Sequence, residues 1–451
     1  METFYFKVEK LGPIKSATFT ASHLNVLCGK NNSGKSFLIH AVYCVFQYLQ
    51  NLVALAPKDV HVQQLMEKGS CEFSADEYFA GLNDRLDKAM PEIVKRLPGL
   101  MNKSQSAFEG CKISVRVNEE YVASYIRQLP LSFTFQVSNS LKVVWTKPHD
   151  SCVCRVVLEN SAEQYPSEEV VRNVMSFAVR QLIGKVLPAP VLLTAERSGV
   201  VAFASDVMSF AMSRQTEPSM IGIGSEATAV LSSHYPMAMI QELVMQNEIR
   251  QVQEGRGYLM APVPEAERFY KWFKMNVLDG DVVAREGKLY YVQSSNNLDM
   301  PLSDASSSVK ALASLNYFVH YRMAPGSLLM IDEPELNLHP ERQRMLMRAL
   351  ARMAKSLGVG IVISTHSMTM VRELNTLLSM GEACSRNPDL PKQYGYETDE
   401  LLGGADVSCG IVEEGTIHQQ DKGVSRGFYV QSFDDASEAI ASVQSAIVAT
   451  W

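Results

Sequence analysis

Residues 24–36 read Leu24-Asn25-Val26-Leu27-Cys28-Gly29-Lys30-Asn31-Asn32-Ser33-Gly34-Lys35-Ser36, an apolar strand running directly into the pattern Gly-x-x-x-x-Gly-Lys-Ser. Glycines at 29 and 34 permit the backbone angles that turn successive N–H groups inward, and Asn31, Asn32 and Ser33 span the gap between them. Such a nest of donors, closed by a helix N-terminus, cradles a β-phosphate. In this reading Lys35 reaches the β- and γ-phosphates of ATP, and the Ser36 hydroxyl ligates Mg²⁺. The stretch has the context the pattern needs, a strand before it and a helix over residues 37–50 after it. A P-loop is expected here; a Gly-rich surface turn is the bland alternative.

A second apolar strand, residues 327–331, ends in Asp332-Glu333. Asp332 is placed to hold Mg²⁺, and Glu333 to polarise the water that attacks the γ-phosphate. Residues 359–364 form a third buried strand ending at Thr365-His366-Ser367, where the imidazole of His366 is placed to donate a hydrogen bond to the same phosphate. Lys35, Glu333 and His366 are thus the candidate catalytic residues. Residues 188–194 read as one more buried strand, ending in Ala195-Glu196-Arg197-Ser198-Gly199. Parallel α/β sheets put ligand contacts at such ends, so Glu196 and Arg197 are either site residues or a surface salt bridge.

The chain has 451 residues, 46% of them hydrophobic and 20% charged, which leaves room for two or three domains with a sizeable core. No apolar run reaches the ~18 residues of a membrane span, and the first residues lack a signal-peptide pattern, so a cytoplasmic protein with no membrane partner is expected. Eight scattered cysteines form no Cys-x-x-Cys pair, and Cys152 and Cys154 read as half-buried thiols on one strand face rather than metal ligands. A formal charge of −7 argues against a wholly basic nucleic-acid binder but leaves local DNA contacts open.

The expected class is α/β, with the P-loop head split by two insertions. Residues 1–50 carry its N-terminal part, with two short strands around Leu11-Gly12-Pro13. Residues 51–187 read as a mixed α/β insertion: helical patches punctuated by Pro57, Pro91, Pro98 and Gly110, antiparallel strands over 112–158, and a helix over 167–186. Residues 188–200 return to the head, and 201–281 form a helical insertion with an amphipathic run over 228–253. Its methionines, among them Met237, Met239 and Met245, fill a core or present a partner-binding surface. Residues 282–380 complete the head, starting with a hairpin over 282–293. Residues 381–451 form an α/β tail with a strand over 407–412, a turn at Glu413-Glu414-Gly415, a short segment over 427–430 and a last helix over 434–448.

Asp332-Glu333-Pro334-Glu335, Leu338-His339-Pro340 and Ser364-Thr365-His366-Ser367, taken with the P-loop, resemble the Walker B motif, D-loop and switch histidine of ATP-binding-cassette (ABC) ATPases. The wide separation of the P-loop from Walker B resembles the SMC, Rad50, RecF and OLD branch. In that branch a signature loop precedes Walker B by about one helix, and residues 302–310 stand in that place, followed by a helix over 311–322. The resemblance implies that Ser306, Ser307 and Ser308 bind the partner subunit's ATP, although Ser308 occupies a position usually held by glycine. A plain helix N-cap is the alternative. Within the branch, residues 194–199 and 364–375 look most like AAA15 or OLD-like ATPases of bacterial anti-phage systems. The stretch after His366 is too short for a TOPRIM nuclease beside the rest of the head. This points to stand-alone ATPase subunits like those of PARIS (AriA type) and Septu (PtuA type).

The resemblance therefore implies a homodimer or higher homo-oligomer around ATP and Mg²⁺, a separately encoded effector such as a TOPRIM or HNH nuclease, and a phage-encoded trigger. The rival implication is a RecF- or Rad50-like repair ATPase that clamps DNA. No long heptad arm is evident, which weighs against a Rad50 or SMC architecture, and the long insertions weigh against a transporter cassette.

Overall fold

The computed structural model describes residues 4–20, 23–53, 57–138, 140–160, 166–187, 189–213, 235–251, 264–286, 288–296 and 298–420, with 427, 428, 430 and 444 beyond them. The helix expected over 434–448 lies outside the described residues, apart from position 444. In chain order the elements that frame the site begin with β1 (Phe4–Leu11), β2 (Ile14–Thr20), β3 (Leu24–Cys28), helix α1 (Lys35–Val53), β4 (Ser70–Ser74) and β5 (Lys112–Val117). There follow β6 (Leu131–Gln136), β7 (Leu141–Lys147), β8 (Val153–Asn160), β9 (Pro190–Leu193), α2 (Arg197–Ser213) and α3 (Met237–Gln251). The hairpin β10 (Gly280–Arg285) and β11 (Lys288–Gln293) gains a third strand, β12 (Asp299–Pro301), before α4 (Ser307–Tyr317). Last come β13 (Leu328–Asp332), α5 (Pro340–Ser356), β14 (Gly360–Thr365), α6 (Met368–Cys384), β15 (Val407–Glu413) and β16 (Thr416–Gln419).

Nine strands form one sheet in the order β5-β1-β2-β16-β15-β3-β14-β13-β9. From β15 to β9 the neighbours run parallel. Parallel strands are covered on both faces, which explains why every residue of β3 and β13 is buried. Alternation splits their side chains between two layers. Leu27, Met330 and Val362 pack with α1, whereas Val26, Cys28, Ile331 and Ile363 pack with α4, α5 and α6. The register pairs Thr365 with Cys28 and Asp332 with Ser364, so β3, β13 and β14 end level with one another. Segments hundreds of residues apart are thereby delivered to one carboxyl edge, where open α/β sheets bind ligands.

The fold is α/β with interruptions, and the structure redraws some of the expected joints. β5 pairs with β1 in the large sheet, while its expected neighbours β6, β7 and β8 form a separate four-stranded sheet with β4. β15, in the tail, pairs directly with β3 and extends the same sheet. Pro91 and Pro98 do not punctuate the chain; both lie inside helix Leu82–Met101. Its buried Leu86, Met90, Ile93, Leu97 and Met101 recur at helical spacing, and the packing of that face outweighs the missing N–H groups. α4 begins at Ser307, earlier than 311, and passes into a π-turn over Phe318–Arg322. Among the described methionines of the helical insertion, Met245 is buried in the layer with α4 and α5, Met237 packs against the layer with α1 and Met239 against Val200, Ala204 and Leu243, whereas Met275 is exposed. Among the described residues no helix is long and apolar enough to cross a membrane.

Candidate nucleotide site

The P-loop backbone has the conformation its glycines permit. Gly29 has φ +144° and Gly34 φ +100°, with Asn32 at φ +62° between them. A Cβ on Gly29 would lie 2.6 Å from the Val412 carbonyl oxygen, so a side chain is excluded by space as well as by angle. Asn31 and Asn32 are exposed, and the buried Ser33 hydroxyl has no hydrogen-bond partner among the described residues. Lys35 is buried, and its Nζ donates to the carbonyls of Gly29 and Lys30, each at 2.8 Å. Burial pushes its ammonium below the ordinary lysine value, against the opposing pull of Glu333 and Asp332. A cation at the centre of a loop of inward donors suits a polyphosphate.

Asp332, at the end of β13, faces α1. Ser36 Oγ donates to its Oδ1 at 3.1 Å, Ser364 Oγ donates to the same oxygen, and His40 Nε2 stands 3.6 Å from Oδ2. Burial would push this carboxyl up, but His40, Ser364 and Ser36 outweigh it and hold the acid below the ordinary carboxylate range. An ionised carboxylate joined to a hydroxyl is a hard-oxygen pair of the kind that takes Mg²⁺.

Glu333 sits in a left-handed conformation, φ +48°, and its N–H donates to the Ser364 carbonyl at 3.0 Å. That conformation is uncommon for a residue with a Cβ and turns the side chain out of the strand path. Burial raises its carboxyl above the ordinary value, with the neighbouring carboxylates adding to the shift and His366 opposing it. His366 Nδ1 lies 3.5 Å from Glu333 Oε1 and 3.4 Å from Glu335 Oε1. Glu335 fixes the histidine's backbone by accepting from Thr365 Oγ1 at 2.7 Å and His366 N at 2.8 Å.

The structure therefore brings Lys35, Ser36, Asp332, Glu333 and His366 to one sheet edge. Sequence reasoning missed three of their supports. His40 follows Ser36 by four residues, one helical turn along the same face of α1, and that spacing was the available signal. Ser364 and Glu335 lie inside motifs already quoted, but only the strand register shows what they touch. Arg197 is neither a ligand at the strand end nor a surface salt bridge. It is buried and gives all its N–H groups to main-chain carbonyls, while Glu196 is exposed.

Ser306 and Ser308, with Ser307 between them, make their hydrogen bonds locally. Ser306 caps α4, its Oγ accepting from Val309 N at 3.4 Å and lying 2.9 Å from Ser308 Oγ. The capping alternative is thus realised locally, and among the described residues no hydrogen bond joins this loop to residues 29–36 of the same chain.

The fold and site define an α/β head with a P-loop. Residues 239–371 match the family model of the AAA ATPase domain (AAA15), a stretch that contains the Ser306–Ser308 loop, Asp332, Glu333 and His366 and leaves the P-loop outside. The match makes this part of the chain similar to ATPase domains. No curated protein matches the chain. Among solved structures, the Smc head domain with an extended coiled coil bound to the C-terminal domain of ScpA, derived from Pyrococcus furiosus, is similar with 9% identity and a TM-score of 0.37, covering 98% of each chain. The SMC head domain from Thermotoga maritima is similar with 11% identity and a TM-score of 0.31, covering 95% of this chain and 100% of that one.

Proposed function

We propose that this protein is an ABC-type ATPase head that binds ATP and Mg²⁺, dimerises around the nucleotide and hydrolyses it. The observation that carries the reading is the meeting of Lys35, Ser36, Asp332, Glu333 and His366 at the carboxyl ends of β3, β13 and β14. Lys35 and the amides of residues 29–34 hold the phosphates. Ser36 and Asp332 hold Mg²⁺, which when bound supplies positive charge to the phosphate oxygens. Glu333 orients and deprotonates water, and His366 donates to the γ-phosphate. Ser306, Ser307 and Ser308 complete the site of the opposing subunit, as the resemblance of this loop to a signature loop implies.

Glu333→Gln is the test. Removing the base leaves binding intact, so this variant forms a stable dimer in saturating MgATP by light scattering, and Lys35→Ala added to it abolishes that dimer. A monomeric Glu333→Gln protein under those conditions overturns the reading.

At a finer level, the motif resemblance supports a role as sensor and scaffold of an anti-phage system, holding a separately encoded effector until a phage component arrives. ATP turnover measured against linear duplex DNA at fixed low salt tests this role. Indifference to DNA agrees with a protein-responsive switch; strong stimulation that fades as salt rises replaces it with a DNA clamp.

A further inference from the structure

Arg197 begins α2, four residues after the end of β9 at Leu193. Its guanidinium is enclosed, with 2% of the residue exposed, and none of its hydrogen bonds goes to a side chain. Nε donates to the Ala311 carbonyl at 3.0 Å. Nη1 donates to Thr194 at 3.0 Å and Asp332 at 2.8 Å, and Nη2 to Glu333 at 2.8 Å and Pro334 at 3.2 Å. A guanidinium has five N–H groups in a rigid planar fork, and here each finds a carbonyl.

The acceptors belong to three segments. Thr194 lies in Arg197's own turn. Residues 332–334 form the turn that holds Glu333 at φ +48°. Ala311 lies on α4, the helix whose N-cap is Ser306. α3 braces the arrangement from behind. Glu242 Oε2 accepts from the Thr194 hydroxyl at 2.9 Å, and Gln246 Nε2 donates to Ser314 Oγ on α4 at 3.1 Å. Burial lowers the guanidinium below the ordinary arginine value, and the nearby Glu242, Glu335, Asp332 and Glu333 oppose that shift only in part.

We propose that Arg197 is a positioning residue that couples the hydrolysis turn of a chain's own ATP site to the Ser306–Ser308 loop that the same chain lends to its partner's site. The inference rests on the ATP-sandwich reading above. In that arrangement the 332–334 turn serves one nucleotide and the N-terminus of α4 serves the other, and one planar cation fastens both. Movement of α4 as the second nucleotide is clasped is therefore felt at Glu333, and the two sites fire in concert. Arg197 touches neither ATP nor water; its effect falls on turnover and cooperativity rather than on binding.

The test compares full-length wild type with Arg197→Lys, which keeps the charge and loses the fork, and Arg197→Gln, which removes the buried charge. Folding is checked by the thermal transition of each. The wild type is expected to hydrolyse ATP with a Hill coefficient above 1. The folded variants keep KM within about threefold, lose at least about tenfold in kcat and show a Hill coefficient of 1, a combination that general loosening of the site does not give. A folded variant with unchanged kcat and Hill coefficient overturns the proposal. Hydrogen exchange on Glu333→Gln protein provides a measurement that needs no change at Arg197. Addition of MgATP is expected to protect residues 307–317 and 332–336 together, and protection confined to one segment overturns the coupling. Light scattering of the same Glu333→Gln protein separates the two ideas. A monomer in MgATP removes the sandwich itself, whereas a dimer with uncoupled segments removes only the role of Arg197.

Discussion

Replacing Glu242 by glutamine tests the buried polar layer behind the 332–334 turn. Glu242 is fully enclosed, and its Oε2 accepts from Thr194 N and Oγ1. Burial pushes the carboxyl from an ordinary 4.5 up to about 7, although Thr194 and Arg197 pull the other way. The sign follows from proton linkage. Between 4.5 and 7 the unfolded chain has lost this proton while the folded chain keeps it, so stability is fully present below 4.5 and is lost as pH rises through 7. The difference between the two values corresponds to about 3 kcal/mol, of which roughly 2 to 3 kcal/mol falls between pH 5 and pH 8. Glutamine keeps the shape and an acceptor for Thr194 but cannot ionise. Urea unfolding of both proteins across that range is therefore expected to show the variant gaining on wild type by about 2 to 3 kcal/mol as pH rises. A difference that stays constant between pH 5 and pH 8 would refute the reasoning, because an uncharged packing effect carries no proton.

Two further substitutions probe the site. Gly29→Ala places a Cβ at φ +144° and 2.6 Å from the Val412 carbonyl, and it is expected to cost about 1 to 3 kcal/mol in thermal unfolding and to weaken ATP binding, measured by calorimetry. His40→Ala removes one of the groups that hold the Asp332 carboxyl low, so the Mg²⁺ concentration for half-maximal turnover is expected to rise, most of all at acid pH. An unchanged Mg²⁺ requirement would detach His40 from the site.

The local readings depended on residues whose chemistry is close to one-to-one with conformation. Gly29 and Gly34 flank a loop that only positive φ can close, and the apolar runs ending at Cys28, Asp332 and Thr365 had to be parallel strands covered on both faces. Those features were visible before any contact was known, because helix, strand and tight turn are set by neighbours in the chain. Pro91 and Pro98 show the limit of this, since a buried helical face with enough apolar contacts carries the helix through them. The sheet order was equally hidden. Nothing in residues 112–117 or 407–413 says that one strand joins β1 and the other β3, because pairing partners are chosen by packing across the whole sheet.

Within the site the division is the same. Sequence alone determined the P-loop, the paired carboxylates and the histidine at a strand end, since backbone freedom, charge and position on an element are properties of short stretches. Only the tertiary structure decided that His40 and Ser364 converge on Asp332, that Glu335 anchors His366, and that Arg197 is a buried clamp for the 332–334 turn. The physical reason is that hydrogen bonds between distant residues depend on strand register and helix facing, which are settled by burial of the entire core rather than by any residue's own neighbours.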